Sequence, residues 1–167
     1  MNIKVLSKNI LLLSFSLISG ILICEFLGRT FGLGNPILYK TDQLVGYRLR
    51  ANQNKKRFNN SKITTDYEGF RIDPNQLKDD QSKIIVFVGD SVTYGGSYID
   101  DSELFSSLFC SNNRNLLCLN SGVNAWGTYN MGRFISNFPV YSERTPSKFI
   151  LVILPGDDKR NLAKISS

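Results

Sequence analysis

The stretch KIIVFVGDSVTYGG, residues 83–96, decides the fold. Apolar residues fill 84–88 and run straight into Gly89-Asp90-Ser91, with Thr93 and Gly95 following. A short, continuous apolar run bounded by glycine reads as a strand covered on both faces, as in a parallel sheet. The glycine permits a sharp exit from the strand. Ser91 then stands at the carboxyl end of that strand, where open α/β sheets bind ligands. A serine placed there can serve as a nucleophile. It needs a base to take its proton, however, and the sequence contains no histidine.

After residue 83 the pattern alternates. Residues 84–88 predict a strand. Asp100-Asp101-Ser102-Glu103 reads as a helix start, with Glu103 three positions after Asp100. Leu104, Phe105, Leu108 and Phe109 form the apolar face expected to turn that helix toward the core. Residues 116–119 predict a second strand, closed by Asn120-Ser121-Gly122. Met131, Phe134, Ile135 and Phe138 lie at i, i+3, i+4 and i+7 and predict a second amphipathic helix. Residues 149–154 predict a third strand, closed by Pro155-Gly156-Asp157-Asp158. Strand, helix, strand, helix, strand implies an α/β domain with a parallel sheet and packed helices. In such a sheet all three strand ends share one edge. Each polar cluster alone is ordinary turn chemistry; together they converge on one site.

Upstream, residues 10–24 (ILLLSFSLISGILIC) carry no charge, with Lys4 and Lys8 before them and Glu25 and Arg29 after. This is the pattern of a targeting segment. No small residue precedes Cys24 where a lipoprotein signal would want one. Residues 1–31 therefore read as an uncleaved signal anchor with the domain outside the cytoplasm, a cleaved signal peptide being the alternative. Residues 32–82 read as a loop-rich lead-in with two or three short strands, around 47–49 and 62–65, ending in a polar hinge at 75–82. Residues 83–167 form the main domain.

The basic excess is uneven. Residues 1–83 hold 13 Lys and Arg against 7 Asp and Glu, whereas residues 84–167 hold 7 of each. Lys55-Lys56-Arg57 reads first as a solvated loop, with contact to anionic lipid or an acidic glycan as the alternative. No zinc pattern or RNA-binding aromatic motif is present, so nucleic acid is not an expected partner. Cys24, Cys110 and Cys118 show no metal spacing. Cys110 and Cys118 read as two buried free thiols, with a disulfide open to them if the domain lies outside the cytoplasm.

Gly89-Asp90-Ser91-Val92-Thr93-Tyr94-Gly95 resembles the GDSxTxG first block of the SGNH (GDSL-type) hydrolase family. Asn120-Ser121-Gly122-Val123 with Gly127-Thr128 is similar to the second block, and Pro155-Gly156-Asp157-Asp158 falls where the third, GxND, belongs. Gly46-Tyr47-Arg48-Leu49 and Glu68-Gly69-Phe70-Arg71 resemble the lead-in of membrane-anchored bacterial members thought to act on surface glycans.

The resemblance implies a three-layer, flavodoxin-like fold and an ester hydrolase or O-acyltransferase without metal or cofactor. Ser91 would be the nucleophile. Its N–H and that of Gly122 would hold the oxyanion together with the third-block side chain, here Asp157. A histidine in a fourth block, DxxH, would be the base. An ionised aspartate repels an oxyanion, and losing one donor costs about 10²–10³ in rate. Losing the base costs about 10²–10⁴. The resemblance therefore implies a domain incomplete at its C-terminus and weakly active or inactive as this chain, its third strand left as an apolar edge. A non-catalytic, membrane-tethered glycan-binding or scaffold protein is the alternative.

Overall fold

The computed structural model describes residues 3–76, 83–113 and 115–163. It begins with a single long helix, α1 (Ile3–Thr30). Residues Ser7–Thr30 of it are long and apolar enough to cross a membrane, and their large side chains are exposed. At 1.5 Å per residue these 24 residues reach about 36 Å, against a hydrocarbon core of about 30 Å.

Two antiparallel hairpins follow. β1 (Tyr39–Asp42) pairs with β2 (Gly46–Leu49), and β3 (Asn54–Lys56) pairs with β4 (Lys62–Thr64). The lead-in thus holds four short strands where the sequence predicted two or three. It is packed into the main body: Val45, Phe70 and Ile72 share a core with Val86, Leu119, Trp126 and Phe134. The Trp126 indole N–H donates to the Tyr47 carbonyl at 2.9 Å, and Asn130 Nδ2 donates to the Val45 carbonyl at 2.9 Å. Of the hinge expected at 75–82, residues 77–82 lie outside the described residues.

The main body is a mixed α/β unit around a three-stranded parallel sheet. β5 (Lys83–Val88) is central, flanked by β6 (Leu116–Asn120) and β7 (Lys148–Leu151). The alternation of β5 explains its uniformly apolar sequence. Val86 and Val88 face a core shared with Met131, Phe134, Phe138 and Tyr141; Ile85 and Phe87 face the opposite side with Cys110 and Cys118. β7 is shorter than predicted. One more ladder bond, Val152 N–H to the Val88 carbonyl, follows it, and then the Leu154 N–H turns to the Asp157 carboxylate. Its edge exposes Leu151 and Ile153.

Beyond Ser91 the chain forms a one-turn helix, α2 (Ser91–Tyr94), then a 3-10 turn over Asp101–Glu103. Asp100 and Glu103 make the reciprocal cap that the sequence suggested, yet α3 (Phe105–Ser111) begins afresh after Leu104. Its inward face also corrects the expectation. Ser106, Ser107 and Cys110 are buried, whereas Phe105, Leu108 and Phe109 are substantially exposed. Small residues let α3 lie close to the sheet, while Phe105 and Phe109 reach Phe87 edge-on from the rim, with ring centroids 5.4 and 5.9 Å apart.

The reading of two free thiols is likewise corrected: Cys110 and Cys118 form a disulfide. The last turn of α3 and the inward face of β6 bring their Cα atoms to 5.9 Å, within disulfide range. Closing a loop with a separation of 8 residues constrains the unfolded chain by about 2–3 kcal/mol. Cys110→Ser with Cys118→Ser is expected to lower unfolding free energy by that amount, measured by urea titration of Trp126 fluorescence. An unchanged midpoint would exclude the bond's role.

The helix predicted through Phe138 divides into α4 (Thr128–Ser136) and α5 (Phe138–Tyr141). Pro139 supplies no N–H and clashes with the carbonyl of Ile135 in a continuous helix. The break lets Phe134 stack on Tyr141 at 4.9 Å and Phe138 meet Phe149 at 5.1 Å.

Candidate functional site

Ser91 lies half-buried at the first position of α2, directly beyond the central strand. Asp90 caps this turn, its Oδ1 accepting from the Val92 N–H at 2.9 Å; its Oδ2 is 3.5 Å from Ser91 Oγ. Gly95, at φ 85°, ends the turn and returns its N–H to the Ser91 and Val92 carbonyls. A residue with a Cβ is strained at that angle. Gly89 is required for a different reason: a Cβ there would lie 1.9 Å from Thr93 Oγ1. Sequence and space therefore agree that the serine turn is folded tightly back on its strand.

The other two strand ends close on it. Ser121 N–H donates to the Phe87 carbonyl and Val123 N–H to the Gly89 carbonyl, joining the loops after β6 and β5. Gly122 sits against backbone: a Cβ would be 2.2 Å from the Tyr94 nitrogen. The Gly122 N–H donates to Asn120 Oδ1 at 2.9 Å, while Asn120 Nδ2 donates to the Thr93 carbonyl at 2.6 Å. An incoming oxyanion would compete with the Asn120 side chain for that N–H.

Asp157, fully buried, arrives after β7. Its Oδ2 accepts from the Leu154 N–H at 2.8 Å. Its Oδ1 makes no hydrogen bond but lies 3.4 Å from Arg160 Nη1. The same Nη1 donates to Asp90 Oδ2 at 2.8 Å. Ser91 and Asp157 are thus linked through Asp90 and Arg160. The carbonyl of Asp157 also packs on Gly127, where a Cβ would come within 2.7 Å.

Arg160 is a member of this cluster that the motifs do not name. Its signal is weak, a cation three positions after Asp157. Arg71 closes the Glu68-Gly69-Phe70-Arg71 stretch of the lead-in, but its place beside the serine turn is an addition. Fully buried, it donates from Nε to Asp101 at 2.8 Å, from Nη1 to the Tyr94 and Gly96 carbonyls, and from Nη2 to the Ile99 carbonyl. It fixes the loop that follows the serine turn. Burial pushes the Asp101 carboxyl up to about 6, against opposing hydrogen bonds from Arg71 and Thr64.

The chemistry available is bounded by these partners. Ser91 Oγ has a carboxylate beside it, but both oxygens of Asp90 are already engaged, Oδ1 by the Val92 N–H and Oδ2 by Arg160. Among the described residues no group of three or more His, Cys, Asp or Glu is placed to hold a metal ion. A cavity of about 170 Å³ lies among Lys62, Asp73, Pro74, Asn75, Asp100 and Asp101, none of them at Ser91.

No family model matches the chain, and no curated protein matches it in sequence.

Proposed function

We propose that this chain carries the nucleophile half of an SGNH-type ester hydrolase or O-acyltransferase, held at a bacterial membrane by α1. The observation that carries this reading is Ser91 at the head of a one-turn helix on the central strand, with the Gly122 and Asp157 loops packed onto the same edge. Ser91 Oγ would attack an acyl carbonyl, and its proton would pass to a base. The base is not a histidine of these 167 residues, so the reading requires one supplied from elsewhere. The substrate class is an acyl ester, such as an acetylated glycan. The Cys110–Cys118 disulfide supports placing the domain on the extracytoplasmic side.

A fluorophosphonate probe tests the serine directly. With imidazole supplied as the missing base, labelling is expected at Ser91 and absent in Ser91→Ala. Asp157→Asn is expected to speed labelling by up to about 10²-fold, because an amide donor replaces a repelling carboxylate. Turnover of a short-chain p-nitrophenyl ester is expected to match the Ser91→Ala background. Clear Ser91-dependent turnover would remove the claim that a base is missing, and no labelling at all would remove the nucleophile.

The second reading is a membrane-tethered glycan-binding or scaffold protein. One observation favours it: the Arg160 guanidinium ties Asp90 and Asp157 together beside the serine, while the Gly122 N–H is already engaged. Under that reading the probe labels nothing.

A further inference from the structure

The positive charge is concentrated where α1 ends. Residues 32–65 hold seven Lys and Arg against the single carboxylate of Asp42. The chain leaves α1 through Gly32, at φ 72°, whose carbonyl accepts from Arg57 Nη1 at 2.8 Å. The approach is close enough that a Cβ on Gly32 would lie 2.9 Å from the Arg57 Cα. The end of β3 is therefore pinned to the end of α1, and Lys56 and Lys55 follow along the strand at about 3.3 Å per residue.

We propose that the β3–β4 hairpin rests on the membrane surface from which α1 emerges, with Lys56 and Lys62, which share its exposed face, against anionic lipid headgroups. The proposal rests on the reading that α1 spans a membrane. Glu25 and Arg29, paired at 2.7 Å, mark the polar exit of the helix. Gly32 lies about 5–10 Å beyond these two residues at helical rise, a span that covers the headgroup layer of about 5–8 Å on each side of the core. Lys56, and Lys62 beside it in the ladder, then fall within a Debye length of the surface, about 8 Å at physiological salt.

The hairpin's own charges favour such a surface. Lys56 stands directly opposite Lys62 in the ladder, and both are exposed. Like charges in that position repel. Neither Lys56 nor Lys62 meets a described carboxylate within ion-pair distance. The carboxylates nearby are engaged elsewhere: Glu25 by Arg29, and Asp100 by the Lys62 and Ser102 N–H groups. Each basic residue near an anionic bilayer strengthens association roughly fivefold.

The test uses the full chain in nanodiscs of phosphatidylcholine alone and of phosphatidylcholine mixed with phosphatidylglycerol, with lysine acylation read by mass spectrometry. Acylation of Lys56 and Lys62 is expected to fall at least roughly fivefold in the anionic discs, to recover in high salt, and to stay constant at Lys148 and Lys159. Equal acylation in both discs, with the chain retained after carbonate washing, would overturn the lipid contact and leave the anchor standing. Release on washing would overturn the anchor and the contact with it. Protection by an added acidic polysaccharide but not by phosphatidylglycerol would replace lipid with glycan and overturn the proposal.

Discussion

Replacing Arg71 with leucine is expected to lower the unfolding free energy by about 3–5 kcal/mol, the cost of leaving one partner of a buried ion pair uncompensated. The Arg71 side chain is 0% exposed and that of Asp101 2%. Leucine strands the Asp101 carboxylate and removes the donors to the Tyr94, Gly96 and Ile99 carbonyls. Arg71→Leu with Asp101→Asn should recover part of the loss, because the amide removes the buried charge but not the unpaired carbonyls. The two changes are therefore expected to be non-additive.

The pH dependence has a definite sign. Folding raises the Asp101 carboxyl from its ordinary value near 3.8 to about 6. Between those values the folded chain holds more protons than the unfolded one, so this group's contribution to stability falls as pH rises through the window. Without Arg71 the upward push by burial is less opposed, and the decline should extend to higher pH. The measurement is urea unfolding of the full chain in micelles at several pH values, followed through the single tryptophan, Trp126, which is buried in the core. A variant within about 1 kcal/mol of the parent at neutral pH would show that the guanidinium is not what holds the loop.

What the sequence made legible, and what it hid, follows from how each residue acts. β5, β6 and the β7 core could be read because strands covered on both faces need unbroken apolar runs. The serine turn could be read because its glycines answer to local sterics. β1 and β3 could not: YKTD and NKK are polar strands that pair only with their hairpin partners. Arg71 stood in the lead-in motif, but its buried role was hidden because its partners are backbone carbonyls more than twenty residues on, and a cation in a chain reads as surface. The Asp90–Arg160 pair spans 70 residues and leaves no local pattern. The inverted face of α3 shows the limit of hydrophobic periodicity. That pattern counts which side chains are apolar, whereas a helix linked to its neighbouring strand by a disulfide selects its inner face by size.

Gly122→Ala is expected to destabilise by about 3 kcal/mol or more, at the upper end for overpacking. The added carbon would lie 2.2 Å from the Tyr94 nitrogen and 2.6 Å from the Thr93 carbonyl carbon, and backbone cannot rotate aside. Nor can the loop retreat freely, since Ser121 and Val123 are bonded to Phe87 and Gly89, and Asn120 to Thr93. Gly132→Ala supplies the contrast. It lies within α4 with nothing inside 4 Å of the added carbon, so alanine should stabilise by up to about 1 kcal/mol through helix propensity alone. The same substitution should thus change sign between two glycines of one domain, read as a fall against a rise in the urea midpoint. The contrast also bears on function. Lost Ser91 labelling in Gly122→Ala would report the collapse of packing rather than a missing oxyanion donor, so only labelling per folded molecule can separate the two. If Gly122→Ala unfolds at the parent's midpoint, the loops after β5 and β6 do not pack as described. The convergence of strand ends around Ser91 would then lose its physical basis.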